Sequence, residues 1–186
     1  MNVSDAIRQR RSVRLFRDQP IPEALLRELA DLVRLYPSAG NIQPLRYAIV
    51  TKEPLRSQIF DCLRWAKYLP DFQIPENQRP QAYFVILGNR ERCDFDAGAA
   101  AMGLLLAAKD LGLEACCLGI GEKAAVRQVL GVDEQLHPIC AVALGYGDQN
   151  STEAPFEGSL RYYRDEAGTI HVPKYSPEEI LVHSDL

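Results

Sequence analysis

The chain has 186 residues, with 21 Lys and Arg against 25 Asp and Glu for a formal charge of −4, and 47% of its residues are hydrophobic. A domain of this length buries roughly 70% of the surface its unfolded chain exposes, so its core needs neither a metal nor a disulfide staple. The mild acidity excludes a surface built throughout for nucleic acid or an anionic membrane and leaves only local basic sites open. The five cysteines, Cys62, Cys93, Cys116, Cys117 and Cys140, are odd in number and lack C-x-x-C spacing, so they are expected as reduced thiols. The amino-terminal stretch is charged where a secretory signal is apolar, and the apolar run Ala97 to Ala108 is too short to span a bilayer as a helix. The expectation is a cytoplasmic protein that engages neither membrane nor nucleic acid.

Ser4 and Asp5 predict the cap of a short first helix. Pro22 opens a second, with Leu25, Leu26, Leu29, Leu32 and Val33 along one face. Tyr36 to Pro44 has no apolar period and reads as a loop, followed by a strand over Tyr47–Thr51. Pro54 starts a third helix running through Leu55, Ile59, Leu63 and Ala66, after which the chain is polar and broken by prolines as far as Gln81. Ala82–Leu87 is a continuous apolar run of buried-strand type. Phe95 to Leu111 is apolar on nearly every side, so that helix must be covered all round. Gly112 closes it, and a strand (Leu113–Leu118), a helix (Glu122–Leu130) and a strand (Ile139–Leu144) follow. The tail is polar and rich in Tyr, with a turn at Asp165–Gly168 and a short helix after Pro177. Residues 1–150 read as the main domain and 151–186 as an extension of it.

Three stretches carry chemistry. In Arg8–Arg14 the residues Arg10, Ser12 and Arg14 alternate, so in extended chain they project to one side, two guanidinium forks about a hydroxyl. Arg supplies paired planar donors suited to a phosphate, although a solvated basic face or a nucleic-acid arm would use the same residues. The loop Pro37–Pro44 offers small residues for close backbone approach and Ser38, Asn41 and Gln43 for hydrogen bonding to a heterocycle; a plain turn has the same composition. Leu118–Ala124 fits G-x-G-x-x-A, but its nearest acidic follower, Asp148, is late for a Rossmann ribose contact. Its simpler content is exposed main-chain N–H groups at a helix start. His137, His171 and His183 are scattered without metal-ligand spacing, and neither G-x-S-x-G nor a Walker loop occurs, so no metal and no hydrolytic centre is expected. Cys116 and Cys117 lie on a predicted buried strand and read as packing.

Taken in order, RRSVRLF, PSAGNIQPLRYAIV, DFDAGAAAMGLLLAAKDLGLEACCLGIG and ICAVALGYG resemble the FMN-dependent nitroreductase family over residues 3–148, and the closing VPKYSPEEIL resembles that family's Lys-containing end. The resemblance implies an α+β fold of three layers, a mostly antiparallel central sheet flanked by helices, assembled as an intertwined homodimer with FMN at two interface sites. Carried onto this chain, it places Arg10, Arg11, Ser12 and Arg14 at the FMN phosphate and ribityl chain. Pro37, Ser38, Ala39 and Asn41 would reach the flavin from the partner, Ile120 and Gly121 would turn N–H groups toward its N5 and O4 edge, and Lys174 would stand nearby, with Arg161 and Arg164 as competitors. The apolar helix becomes the central dimer helix. Two positions depart from the family: Leu45 follows Gln-Pro where many members have an aromatic residue, and Tyr175 or Ser176 replaces a second basic residue.

The implied activity is a ping-pong oxidoreductase: NAD(P)H reduces FMN, then a small-molecule acceptor such as a nitroaromatic, quinone or enone takes the electrons. The cofactor carries the chemistry and the protein orients it, so no catalytic side chain is expected. The alternatives are a flavin-fragmenting or heterocycle-dehydrogenating enzyme of the same fold, and a flavin-binding protein without turnover. Trp65 to Gln78, with Trp65, Tyr68, Phe72 and Pro75, is the expected substrate cover, or an ordinary surface excursion.

Overall fold

The computed structural model describes residues 1–69 and 71–184. The chain divides into two compact units: Met1–Trp65 with Ile74–Asp148, and Ala66–Gln73 with Gln149 onward. The tail, expected as an extension of one domain, thus packs together with a short piece taken from the middle of the chain.

The first unit contains α1 (Val3–Gln9), α2 (Glu23–Val33), β1 (Leu45–Val50), α3 (Leu55–Asp61), β2 (Ala82–Gly88), α4 (Asp94–Asp110), β3 (Glu114–Gly119), α5 (Lys123–Leu130) and β4 (His137–Gly145). Its sheet has the order β1-β2-β4-β3 with every pairing antiparallel. The period-2 alternation of strand side chains divides the core into two layers. Phe84, Ile86, Val142, Leu144 and Ala115 face α2 and α4, whereas Tyr83, Val85, Ala141, Ala143, Cys116 and Leu118 face the side of α3 and α5. Helix, sheet and helix make the three layers. β2 is buried along its whole length because both faces are covered, which explains its unbroken apolar run. Each of its large side chains contributes about 1.5–3 kcal/mol by leaving water.

Local chemistry sets the ends of the helices. The cap of α1 is Asn2, whose side chain accepts from the Asp5 N–H, not Ser4 or Asp5 as the sequence predicts. α2 follows Pro22 and buries Leu26, Leu29 and Val33. α3 stops at Asp61, earlier than its apolar spacing predicts, because Cys62–Arg64 pairs across the fold instead. α4 buries its inner side, but Phe95 and Met102 remain 88% and 47% exposed, so one apolar stripe of the helix is open in the single chain. His137 opens β4 as an exposed residue, and of the adjacent cysteines only Cys116 is buried; Cys117 is exposed.

In the second unit, β5 (Ser151–Pro155) pairs parallel with β7 (Ile170–Lys174), which pairs antiparallel with β6 (Tyr163–Arg164). The predicted turn joins β6 to β7, with Gly168 at φ +85° donating to Asp165 O. Ser176 and Glu179 form a capping box on α6 (Pro177–Ile180).

Candidate functional site

α1 ends at Arg10, where the backbone becomes extended. Two residues on, Ser12 forms a lone parallel bridge with Ala115, and the Val13 N–H donates to Ala115 O at 3.2 Å. Val13 and Phe16 are buried, and Phe16 lies against Gly145 so closely that a Cβ there would stand 2.7 Å from its ring. Alternation then leaves Arg10, Ser12 and Arg14 half-buried with a common neighbour, the Cys116 thiol. Burial raises that thiol's pKa, while Arg14, a hydrogen bond with Ser12 and Arg10 oppose the rise. Arg11 turns back, its Nη1 donating to the carbonyls of Arg8 at 2.6 Å and Arg10 at 2.8 Å.

A second lone bridge closes the far end of β3. Leu63 pairs with Ile120, the Arg64 N–H donates to Gly119 O at 3.0 Å, and the Gly121 N–H donates to Cys62 O at 2.8 Å. The expectation that Gly121 turns its N–H to a ligand is therefore corrected: that donor is held by Cys62, since residues 62–64 take the edge of the strand there. The Ile120 N–H takes no part in these two bonds. The bridges at Ala115 and Ile120 stand five residues apart, roughly 17 Å along an extended strand. Gly119, between them, has open space where a side chain would be.

The loop before β1 is built tightly. Tyr36 lies on Gly103 of α4, where any Cβ would overlap its ring, and this fixes the loop's start. The Ala39 N–H donates to the buried carboxylate of Asp96 at 3.1 Å, and Ser38 Oγ accepts from the Gln43 N–H at 2.8 Å. Gly40 and Asn41 adopt positive φ in a single 3₁₀ turn, and Asn41 Oδ1 accepts from Gln43 Nε2 at 3.0 Å. Pro37, Ala39 and Asn41 are exposed, and a cleft of about 290 Å³ opens beside Tyr36, Pro37, Ser38 and Asp96. This loop leads into β1, at the edge of the sheet opposite β3. Three strand spacings, about 14 Å, separate the edges, so one chain does not bring Ser38–Asn41 to the arginines.

Lys174, Arg161 and Arg164 belong to the second unit. Lys174 ends β7, exposed, opposite Pro155. Arg161 lies over the Tyr68 ring at 5.7 Å, Tyr68 meets Tyr162 edge-on at 5.2 Å, and Arg164 lies on β6. Of the expected substrate cover, Trp65 stacks on Phe60 at 5.0 Å in the first unit, and Arg79 covers the same Phe60 ring at 4.2 Å. Tyr68 and Phe72 fall in the second unit, and Pro75 returns to the first as the cap of a 3₁₀ turn.

The family model described as the Nitroreductase family matches residues 7–83 and 84–146. The chain belongs to the nitroreductase family. The match takes in the arginine segment, the loop and both bridges of β3. Among relatives, a 4-nitrobenzoate reductase of Pseudomonas putida is 26% identical, covering 87% of this chain and 90% of that one. Among solved structures, a nitroreductase family protein of Clostridium difficile 630 superposes with a TM-score of 0.71 over 100% of both chains at 18% identity. An FMN-dependent nitroreductase of Clostridium difficile R20291 gives 0.64 over 79% of this chain and 88% of that one at 20% identity. Both structures are similar in fold. Arg64 and Cys117 also stand at β3: sequence reasoning missed Arg64 and expected Cys117, which is exposed, as buried packing. Arg64 reaches its position by a long-range pairing that no local pattern encodes.

Proposed function

We propose that this nitroreductase is an FMN oxidoreductase that uses NAD(P)H to reduce a small acceptor such as a nitroaromatic, quinone or enone by a ping-pong cycle. The observation that carries the reading is the layout of β3, with Arg10, Ser12 and Arg14 at one end and the Gly119–Gly121 turn roughly 17 Å away. The donor set suits a phosphate: two guanidinium groups and a hydroxyl supply charge-assisted hydrogen bonds. Gly119, bare at the strand's end, admits a flat ring against the backbone. The names of the 4-nitrobenzoate reductase and the FMN-dependent nitroreductase agree with this chemistry.

FMN, when bound, supplies the two-electron carrier. The chain's own part is to hold the phosphate with Arg10, Ser12 and Arg14, with Arg11 fixing the end of α1, and to offer the Ile120 N–H at the ring's edge. Pro37, Ser38, Ala39 and Asn41 lie at the sheet edge opposite the arginines, and a homodimer whose loops cross to the partner would bring them to the flavin. The open stripe with Phe95 and Met102 on α4 is the surface such a partner would cover. Lys174 is the proposed basic contact from the tail, with Arg161 and Arg164 as the alternatives.

The test is an absorbance spectrum of the purified protein, with and without added FMN, before and after anaerobic NADH or NADPH. Expected is a flavin spectrum that bleaches with a nicotinamide and returns with an acceptor. A protein that takes up no FMN overturns the reading; bound flavin that neither nicotinamide reduces leaves a binding protein without turnover.

A further inference from the structure

Arg64 has no role in the reading above, yet its backbone is among the most firmly placed at the end of β3. Its N–H is bonded to Gly119 O, and the residue two before it accepts from Gly121. Its side chain lies across Gly121: a Cβ built there would meet Arg64 Nε at 3.5 Å and Cγ at 3.6 Å. The arginine stem thus runs along the turn within ordinary contact distance of residue 121. The residue is exposed, and among the described residues no carboxylate forms an ion pair with it. A guanidinium with no carboxylate partner, on a backbone held by its N–H bond to Gly119, is available to pair with anionic oxygens.

We infer that Arg64 is the residue that recognises the anionic group of a substrate, a carboxylate or phosphate, when that substrate lies over the ring. The inference rests on the flavin reading, because it is the ring at Gly119–Gly121 that brings a substrate to Arg64. Two sources share the chemistry: a phosphate of the nicotinamide reductant and the carboxylate of an aromatic acceptor. Arg10 and Arg14 stand at the opposite end of β3, so the two anion sites divide the work between cofactor and substrate.

The experiment compares wild type, Arg64→Ala and Arg64→Lys. Both variants keep the backbone N–H, so the bridge to Gly119 persists, and thermal melts check that it does. FMN affinity is measured first by fluorescence titration, then KM and kcat with NADH and NADPH, and with 4-nitrobenzoate and uncharged nitrobenzene. Expected are an unchanged FMN Kd, a tenfold or greater rise in KM for the anionic substrate in Arg64→Ala, and partial rescue in Arg64→Lys. A rise for NADPH alone assigns the 2′-phosphate, a rise for both nicotinamides assigns the pyrophosphate, and a rise for 4-nitrobenzoate but not nitrobenzene assigns the carboxylate. A uniform change across charged and neutral substrates, or no change, overturns the inference while leaving the flavin reading intact. Wild type that binds no FMN in the first titration overturns the flavin reading itself.

Discussion

Ser12 pairs with Ala115 through a single parallel bridge, and this contact between an amino-terminal segment and an edge strand positions the basic cluster. Arg10 and Arg14 flank Ser12 on the same side, and all three act on the Cys116 thiol. Under the proposed FMN reading, Arg10→Ala and Arg14→Ala should each lose one charge-assisted phosphate contact, about 1.5–3 kcal/mol, which is roughly a ten- to a hundredfold weaker FMN affinity. Fluorescence titration reads the affinity, and an unchanged melting temperature separates this loss from unfolding.

The loop makes a different prediction. Asp96 is buried and accepts from the Ala39 N–H, so Asp96→Ala leaves that donor without its partner. Ala39 is exposed, so water can take up the freed N–H, and the cost is the net value of the bond, about 0.5–1.5 kcal/mol. Hydrogen exchange should show faster exchange at Ala39 and its neighbours, with β2 and β4 protected as before.

Much of the first unit was legible because the sequence signals there are local. The apolar run at Ala82–Leu87, the length of α4 and the glycine that closes it need no knowledge of distant residues. The alternation of Arg10, Ser12 and Arg14 was legible for the same reason, since period 2 is a property of extended chain. The early end of α3 and the capture of the Gly121 N–H by Cys62 were not, because both depend on pairing residues 62–64 with residues 119–121. Tertiary pairing overrode the helical spacing of Leu63 and Ala66. The joining of Ala66–Gln73 with the tail is likewise invisible to local pattern.

Cys117 should be the reactive thiol. It lies exposed on β3, and hydrogen bonding from Cys140 brings its pKa down to about 7, whereas Cys140 itself is raised and stays protonated. The thiolate is the nucleophile, so alkylation by iodoacetamide should reach half its limiting rate at a lower pH than for an ordinary thiol. Cys140→Ala should move that midpoint up toward the ordinary thiol value. Mass mapping should find Cys116 unmodified under the same conditions, because it is buried.

The β6–β7 turn carries its own pH dependence. Asp165 accepts from His171 Nε2 at 2.8 Å and from the Thr169 N–H at 2.8 Å, and these bonds hold its pKa below the ordinary carboxylate value. A carboxylate with a depressed pKa stabilises the fold fully above its unfolded value, near 3.9, and the contribution is lost as pH falls through the folded value. Amide signals of Thr169 and Ile170 should therefore shift only below about pH 4. Asp165→Asn should remove that transition.

The loop at Ser38–Asn41 and the arginines at Ser12 occupy opposite edges of one sheet, and this has a genetic consequence. Under the proposed dimer, each site draws its phosphate grip from one chain and its loop from the other. An allele that destroys Arg10 and an allele that destroys the loop would each be inactive alone. Expressed together they should complement, because a mixed dimer pairs the intact grip of one chain with the intact loop of the other. Random mixing of equal amounts makes about half of the dimers mixed, each with one working site of two, so roughly a quarter of the normal sites should return.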